Sequence, residues 1–169
     1  MFVTFSVGKW IQETCDELYG LIAERTQQPT YYNKINFCTD ANKQNENAIV
    51  KFFHKDSVNY GQVIKDKEQQ IIYGTHKRKV LGNLPSDMIS IAHVDGLCKA
   101  LRERGKCFVR EASTFPKKRK TIWNLLATYQ AYHNLIAKKQ GGTPCMKEGL
   151  THFAWSWGKL FNARISSQK

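Results

Sequence analysis

Ile35-Asn-Phe-Cys-Thr-Asp40, then Asn45-Glu-Asn-Ala-Ile-Val-Lys-Phe-Phe53, then Tyr60-Gly-Gln-Val-Ile-Lys65: the run 35–65 carries the pattern that decides the fold. The first piece is a short apolar run closed by a carboxylate, which predicts a buried strand and the turn after it. The middle piece predicts a helix over Asn45–Phe53, and the third predicts another strand. Two strands joined through a helix lie parallel in one sheet, because a parallel return needs a crossover. An α/β domain with a partly parallel sheet follows. In open α/β sheets ligands bind beyond the carboxyl ends of the strands, so Asp40 is the first candidate functional residue.

Working outward, Phe2–Val7 alternates as a strand would. Trp10–Arg25 sets Ile11, Cys15, Leu18 and Ile22 on one helical face, and the turn-rich stretch Gln27–Asn33 closes that helix. Glu13, Asp16 and Glu17 then fall on its solvated face. Downstream, Ile71–Leu81 reads as a hairpin around Gly74, and Asn83-Leu-Pro-Ser-Asp as a loop. Ile91, Val94, Leu97 and Leu101 recur at helical spacing through Arg102. Thr121 is placed to cap a helix whose face is Ile122, Leu125, Leu126, Tyr129, His133 and Ile136. Gly141-Gly-Thr-Pro144 breaks that helix, and a tail with Trp155 and Trp157 is expected to anchor on the core.

The 169 residues suit one domain, and a hydrophobic fraction of 41% is enough for a core. No apolar run is long enough to span a membrane, and the amino terminus lacks the features of a secretory signal. Five cysteines without C-x-x-C spacing fit a reducing compartment better than a disulfide scaffold. The net charge is +12, and it is segregated. Residues 1–98 hold 11 Lys/Arg against 11 Asp/Glu, whereas residues 99–139 hold 11 against 2. The densest stretch starts with Lys99, Arg102, Arg104, Lys106 and Arg110 and ends in the run Lys117, Lys118, Arg119 and Lys120. A phosphate backbone is the usual partner of such a field, since each neutralised phosphate releases condensed counterions.

Phosphate-binding glycine loops, the nucleophile elbow and zinc spacings are all missing from the sequence. What remains is carboxylates beside a basic segment. Two-metal phosphodiester chemistry uses that combination, with Asp and Glu oxygens holding paired Mg²⁺ ions. Asp95 is the second carboxylate candidate. Its neighbours Ile91 and Val94 are expected on the buried face of their helix, which would let Asp95 look across a strand end at Asp40. A plainer reading makes Asp95 a first-turn acid favoured by the helix dipole.

Several segments resemble one family. Ile89-Ser-Ile-Ala-His-Val-Asp-Gly-Leu-Cys-Lys-Ala-Leu-Arg102 is similar to the "STSHVERQNLTMR" motif of the insertion-sequence-one transposases, DDE enzymes with an RNase H-like fold. Asn36–Asp40 resembles their "ISTDG" strand, Tyr60–Lys65 their "YGQLVK" strand and Gly82-Asn83 their "GNPD" loop. Asn124–Asn134, with Tyr132-His133-Asn134, is similar to the "YFAHYN" helix, and Thr143–Thr151 with Trp155-Ser-Trp157 to "TPAMEAGITDHVWSW".

The resemblance implies an RNase H-like mixed sheet with flanking helices, lacking its first two strands, plus a carboxy-terminal helical extension. Residues 1–104 would be the partial catalytic core and 105–169 the basic extension of the same domain. It implies DNA transposition chemistry, with Asp40 and Asp95 as catalytic and metal-binding residues for Mg²⁺ or Mn²⁺. Double-stranded DNA at transposon ends would be the partner, a second copy of the chain a candidate partner, and the prokaryotic cytoplasm or nucleoid the setting. Asp95 stands where the family has Glu, so its oxygens fall short by roughly 1.5 Å, one carbon–carbon bond. Gly96 and Cys98 stand where the family has Arg and Asn, and the family's first Asp has no counterpart. The expectation is a truncated, catalytically impaired member that binds DNA.

The rival reading is a metal-free nucleic-acid binder using the 99–139 surface, with Phe108, Phe115, Trp123 and Tyr129 stacking on bases. Against it, Trp123 and Tyr129 are expected in the core of their helix. His93 and His133 are expected to be interior histidines.

Overall fold

Ile35–Asp40 forms strand β1 and Val58–Glu68 strand β2, parallel to it, with Ile35 opposite Val58 and Asp40 opposite Val63. These coordinates are a computed structural model that describes residues 4–9, 11–69, 71–109 and 116–163. Chain contacts divide it into two units, Ser6–Phe115 and Pro116–Lys169 with Met1–Phe5.

In the first unit, helix α1 (Gln12–Arg25) precedes β1, and helix α2 (Lys43–Phe52) makes the crossover between β1 and β2. The Asn42 side chain caps α2 by accepting from the Gln44 amide. Alternation along the strands sends Phe37, Val58 and Tyr60 to the face covered by α1 and α2. There they pack with Tyr19, Ala48, Ile49 and Phe53. Phe37 meets Tyr19 edge-on at 5.7 Å and Phe53 at 5.0 Å, contacts that add to the area buried. The core is aromatic and small.

Strand β3 (Ile71–Leu81) pairs antiparallel with β2, completing a three-stranded mixed sheet in the order β1-β2-β3. The α/β class with a partly parallel sheet is therefore present. The hairpin expected around Gly74 is not. Residues 71–81 form one strand, and the reversal lies between Glu68 and Ile71. Past Val63, β2 pairs only with β3. Gly82 turns the chain at φ +65°, and a Cβ there would stand 2.8 Å from the Val58 carbonyl oxygen, so only glycine fits.

The other sheet face carries Val63, Leu84 and Ile89, with Cys38 and Ile91 packed on them. A Cβ at Gly61 would come within 2.6 Å of the Ile89 side chain, so this glycine lets the 83–91 loop lie directly on β2. Helix α3 (Ala92–Arg104) follows.

Several expectations are corrected. Thr4–Val7 is not a strand, and Phe2 and Val3 lie outside the described residues. Instead the Ser6 hydroxyl donates to the Thr14 carbonyl at 3.0 Å, holding this segment against α1. On α1 the fully buried position is Tyr19 and not Leu18, while Ile11 is exposed. Asp16 leaves the solvated face to pair with Lys51 of α2. Helix α3 buries no residue, and Val94 is 51% exposed, because the chain stacks Ile91, just before the helix, on the sheet.

In the second unit, α4 (Arg119–Ala131) continues into a widened π-type turn over Tyr132–Ile136. It starts two residues before Thr121, with Lys118 at the cap position and no side-chain cap. Thr121 therefore lies inside the helix, where lysine and arginine are better helix formers than threonine. Lys139 bridges to Gly142 at the expected break. The short helices α5 (Pro144–Lys147) and α6 (Trp157–Asn162) complete the unit. The Trp155 amide donates to the Leu135 carbonyl at 2.9 Å, tying the tail to the π turn. All five cysteines are free thiols. Among the described residues no helix is long and apolar enough to cross a membrane.

Burial pushes the Tyr19 hydroxyl well above the ordinary tyrosine value, helped by the charges of neighbouring Tyr60, Cys15 and Asp40. The folded state thus holds Tyr19 neutral where the unfolded chain would ionise it. Its contribution to stability is full below the unfolded value of about 10 and is lost as pH rises above that. Thermal melts should show a falling midpoint above about pH 10, and Tyr19→Phe should flatten that decline. An identical decline in the Phe variant would refute the assignment.

Candidate nucleic-acid interface and carboxylates

Asp40 ends β1 and is exposed. Its Oδ1 accepts from the Asn45 amide group at 3.0 Å and from the Asn42 backbone at 3.4 Å, the turn that starts α2. Its main chain is fixed by a directional series of hydrogen bonds. Arg78 donates to Gln62 Oε1 at 2.6 Å, and Gln62 Nε2 donates to the Tyr60 hydroxyl at 2.6 Å. The Tyr60 and Thr39 hydroxyls meet at 2.8 Å, and Thr39 donates to the Asp40 carbonyl at 2.7 Å. Glu46 of α2 pairs with Arg78 at 3.9 Å.

Burial raises the Tyr60 hydroxyl's pKa against the opposing pull of its bonds to Thr39 and Gln62. Gln62 is completely buried and both ends of its amide are used, so it adds rigidity without an unmet polar group. Sequence reasoning passed over Tyr60, Gln62, Arg78 and Glu46. One signal was available: strand alternation puts the polar Gln62 on the same face as Tyr60, and a polar residue there demands partners.

Asp95 sits in the first turn of α3, and its Oδ2 accepts from Lys65 Nζ at 3.2 Å. Strand parity puts Lys65 on the same face as Val63, the partner of Asp40 in the β1–β2 ladder. Lys65 thus stands two residues beyond the ladder partner of Asp40, and different groups hold Asp40 and Asp95. The Lys65–Asp95 pair is largely exposed and worth little to stability, about 0–1 kcal/mol at most. The contact nevertheless sets a lysine ammonium against one oxygen of the carboxylate.

Mg²⁺ wants oxygen donors in near-octahedral geometry, and a two-metal centre needs carboxylates that bridge. Asp95 Oδ2 is paired to Lys65 and Asp40 Oδ1 accepts from Asn42 and Asn45, so a cation at either carboxylate would compete with these partners. Among the described residues no cluster of three or more His, Cys, Asp or Glu side chains is placed to hold a metal.

The basic residues are all at the surface where they are described. On α3, spacing of four and three residues sets Asp95, Lys99 and Arg102 on one stripe. Lys99, Arg102, Arg104 and Lys106 are exposed, and Lys99 lies 3.9 Å from Glu103. In the second unit Lys117, Lys118, Arg119 and Lys120 are exposed at the start of α4. Arg110 and Phe115 lie outside the described residues.

No family model, curated protein or solved structure matches this chain.

The aromatic and histidine expectations divide. Tyr129 is half-buried against His133, with ring centroids 6.2 Å apart, and His133 is interior. Trp123 is 46% exposed, against the expectation that it would be core. His93 is exposed as well. Both corrections have one cause: the helix stripes that carry them are covered only in part. Trp157 is 41% exposed and stacks on Tyr132 at 5.7 Å, so it packs at the surface of its unit.

Proposed function

We propose that this chain is a DNA-binding protein of the DDE-transposase kind, built on an RNase H-like β-α-β core and weak or inactive in strand cleavage. One observation carries the reading. Every described Lys and Arg from 99 to 120 is exposed, in the segment that holds the chain's charge excess. Charge gathered in this way suits a polyanion, whereas charge serving solubility alone is usually interspersed.

The β1–α2–β2 unit, with Asp40 at the strand end, supports the transposase-like core, as does the order of the family-like segments. Its proposed setting is the prokaryotic cytoplasm at the nucleoid, with duplex DNA as partner. The Lys65–Asp95 pair favours binding over turnover, because a lysine ammonium lies against the second carboxylate.

Fluorescence anisotropy with a labelled duplex across a salt series tests the proposal. Log affinity should fall linearly with log salt, with a slope of roughly −0.9 per phosphate contacted. In the same samples, Mg²⁺ or Mn²⁺ should produce no nicking above that of Asp40→Ala. A flat salt response would refute the DNA reading. Nicking abolished by Asp40→Ala would refute the inactive part alone.

A further inference from the structure

The second unit exposes an aromatic ring among cations. Arg119, Lys120, Trp123 and Asn124 line a surface recess of about 430 Å³. Spacings of three and four residues bring Lys120, Trp123 and Asn124 to one face of α4, with Arg119 one turn before Trp123. Phe5 meets the indole edge-on, with centroids 5.3 Å apart at 67°, so the ring is braced while nearly half of the residue stays exposed. Among the described residues Lys120 has no carboxylate within ion-pair distance.

We infer that this recess is a binding site for an unpaired base of single-stranded nucleic acid. The base stacks on Trp123, and Lys120 and Arg119 take the flanking phosphates. The Asn124 amide supplies a donor and an acceptor at the base edge. Duplex bases are already stacked and offer only their edges in the grooves, so an exposed ring face selects an unpaired base. A volume of this size accepts a base with its sugar. The inference rests on the nucleic-acid reading above and deepens it, since the basic residues alone would serve duplex and single strand alike.

The experiment compares a labelled oligothymidylate, the duplex and inorganic polyphosphate, which has charge but no bases, on the intact chain. Trp123→Ala should weaken oligothymidylate binding about ten-fold or more and leave polyphosphate and duplex binding unchanged. Trp123→Phe, which keeps a ring against Phe5, should retain most of the affinity and the wild-type melting temperature. If Trp123→Ala binds oligothymidylate like wild type, the stacking site is wrong, while salt-sensitive duplex binding would leave the broader proposal standing. Equal losses on all three ligands, or a Phe variant as weak as the Ala variant, would also overturn it. If wild type binds none of the three, both readings fall.

Discussion

Replacing Lys117, Lys118 and Lys120 together with glutamine is expected to weaken duplex DNA binding by about a hundred-fold at roughly 0.1 M salt and to flatten its salt dependence. Each lysine that neutralises a phosphate contributes about 0.9 to the slope of log affinity against log salt, so losing three contacts should reduce its magnitude by about 2.7. All three are exposed, so the substitutions should leave the melting temperature of the wild type unchanged. The control removes the same charge elsewhere. Lys9, Lys43 and Lys55 are also exposed, but they lie in the half of the chain where charge is balanced. Their glutamine triple should leave the slope within error of wild type. If the two triples behave alike, affinity reports total charge, and the localised interface is wrong.

Ile49→Ala is expected to lower the stability of the Ser6–Phe115 unit by about 2–5 kcal/mol. Ile49 has no exposed surface and belongs to the cluster formed by α1, α2 and the sheet. Truncation removes transfer free energy and leaves a cavity. Phe37 and Phe53 of the same cluster, in ring contact with each other, relax into it only in part. Val94→Ala on α3 should change stability by no more than about 0.5 kcal/mol, because Val94 is already half in water. Urea denaturation followed by circular dichroism measures both. An unchanged midpoint for Ile49→Ala would mean that the core does not lie where these contacts place it.

The contrast between Ile49 and Val94 shows where sequence reading succeeds and where it stops. Both are β-branched apolar residues on helices that the sequence predicts, and Val94 was expected on a buried face. Spacing fixes which residues share a face, but something must come to cover that face. Helix α2 lies between two strands that pair in parallel, so its covering surface is local and legible. Among the described residues helix α3 is less well covered: Val94 is exposed, while Leu97 and Leu101 are half-buried. Trp123 follows the same rule on α4. Over its described part, Thr4–Val7, the expected strand fails for a related reason: alternation permits a strand, but pairing needs a neighbour, and Ser6 bonds to α1 instead.

The candidate site divides in the same way. Asp40 was legible because a carboxylate closing a buried strand is a local pattern. Asp95 was legible through the resemblance, but its contact with Lys65 was not, since that pairing joins positions 30 residues apart. The bonds running from Arg78 through Gln62 and Tyr60 to Thr39 were equally hidden, because they depend on the antiparallel register that sets Gln62 opposite Arg78.

Sequence by itself therefore determined the β-α-β order, the position of Asp40 and the gathering of positive charge after Leu97, all written in neighbouring residues. Only the tertiary structure decided which apolar stripes are covered, which carboxylates are free and which aromatic ring faces solvent. Those outcomes depend on distant segments meeting, and a chain's local chemistry limits such meetings without choosing among them.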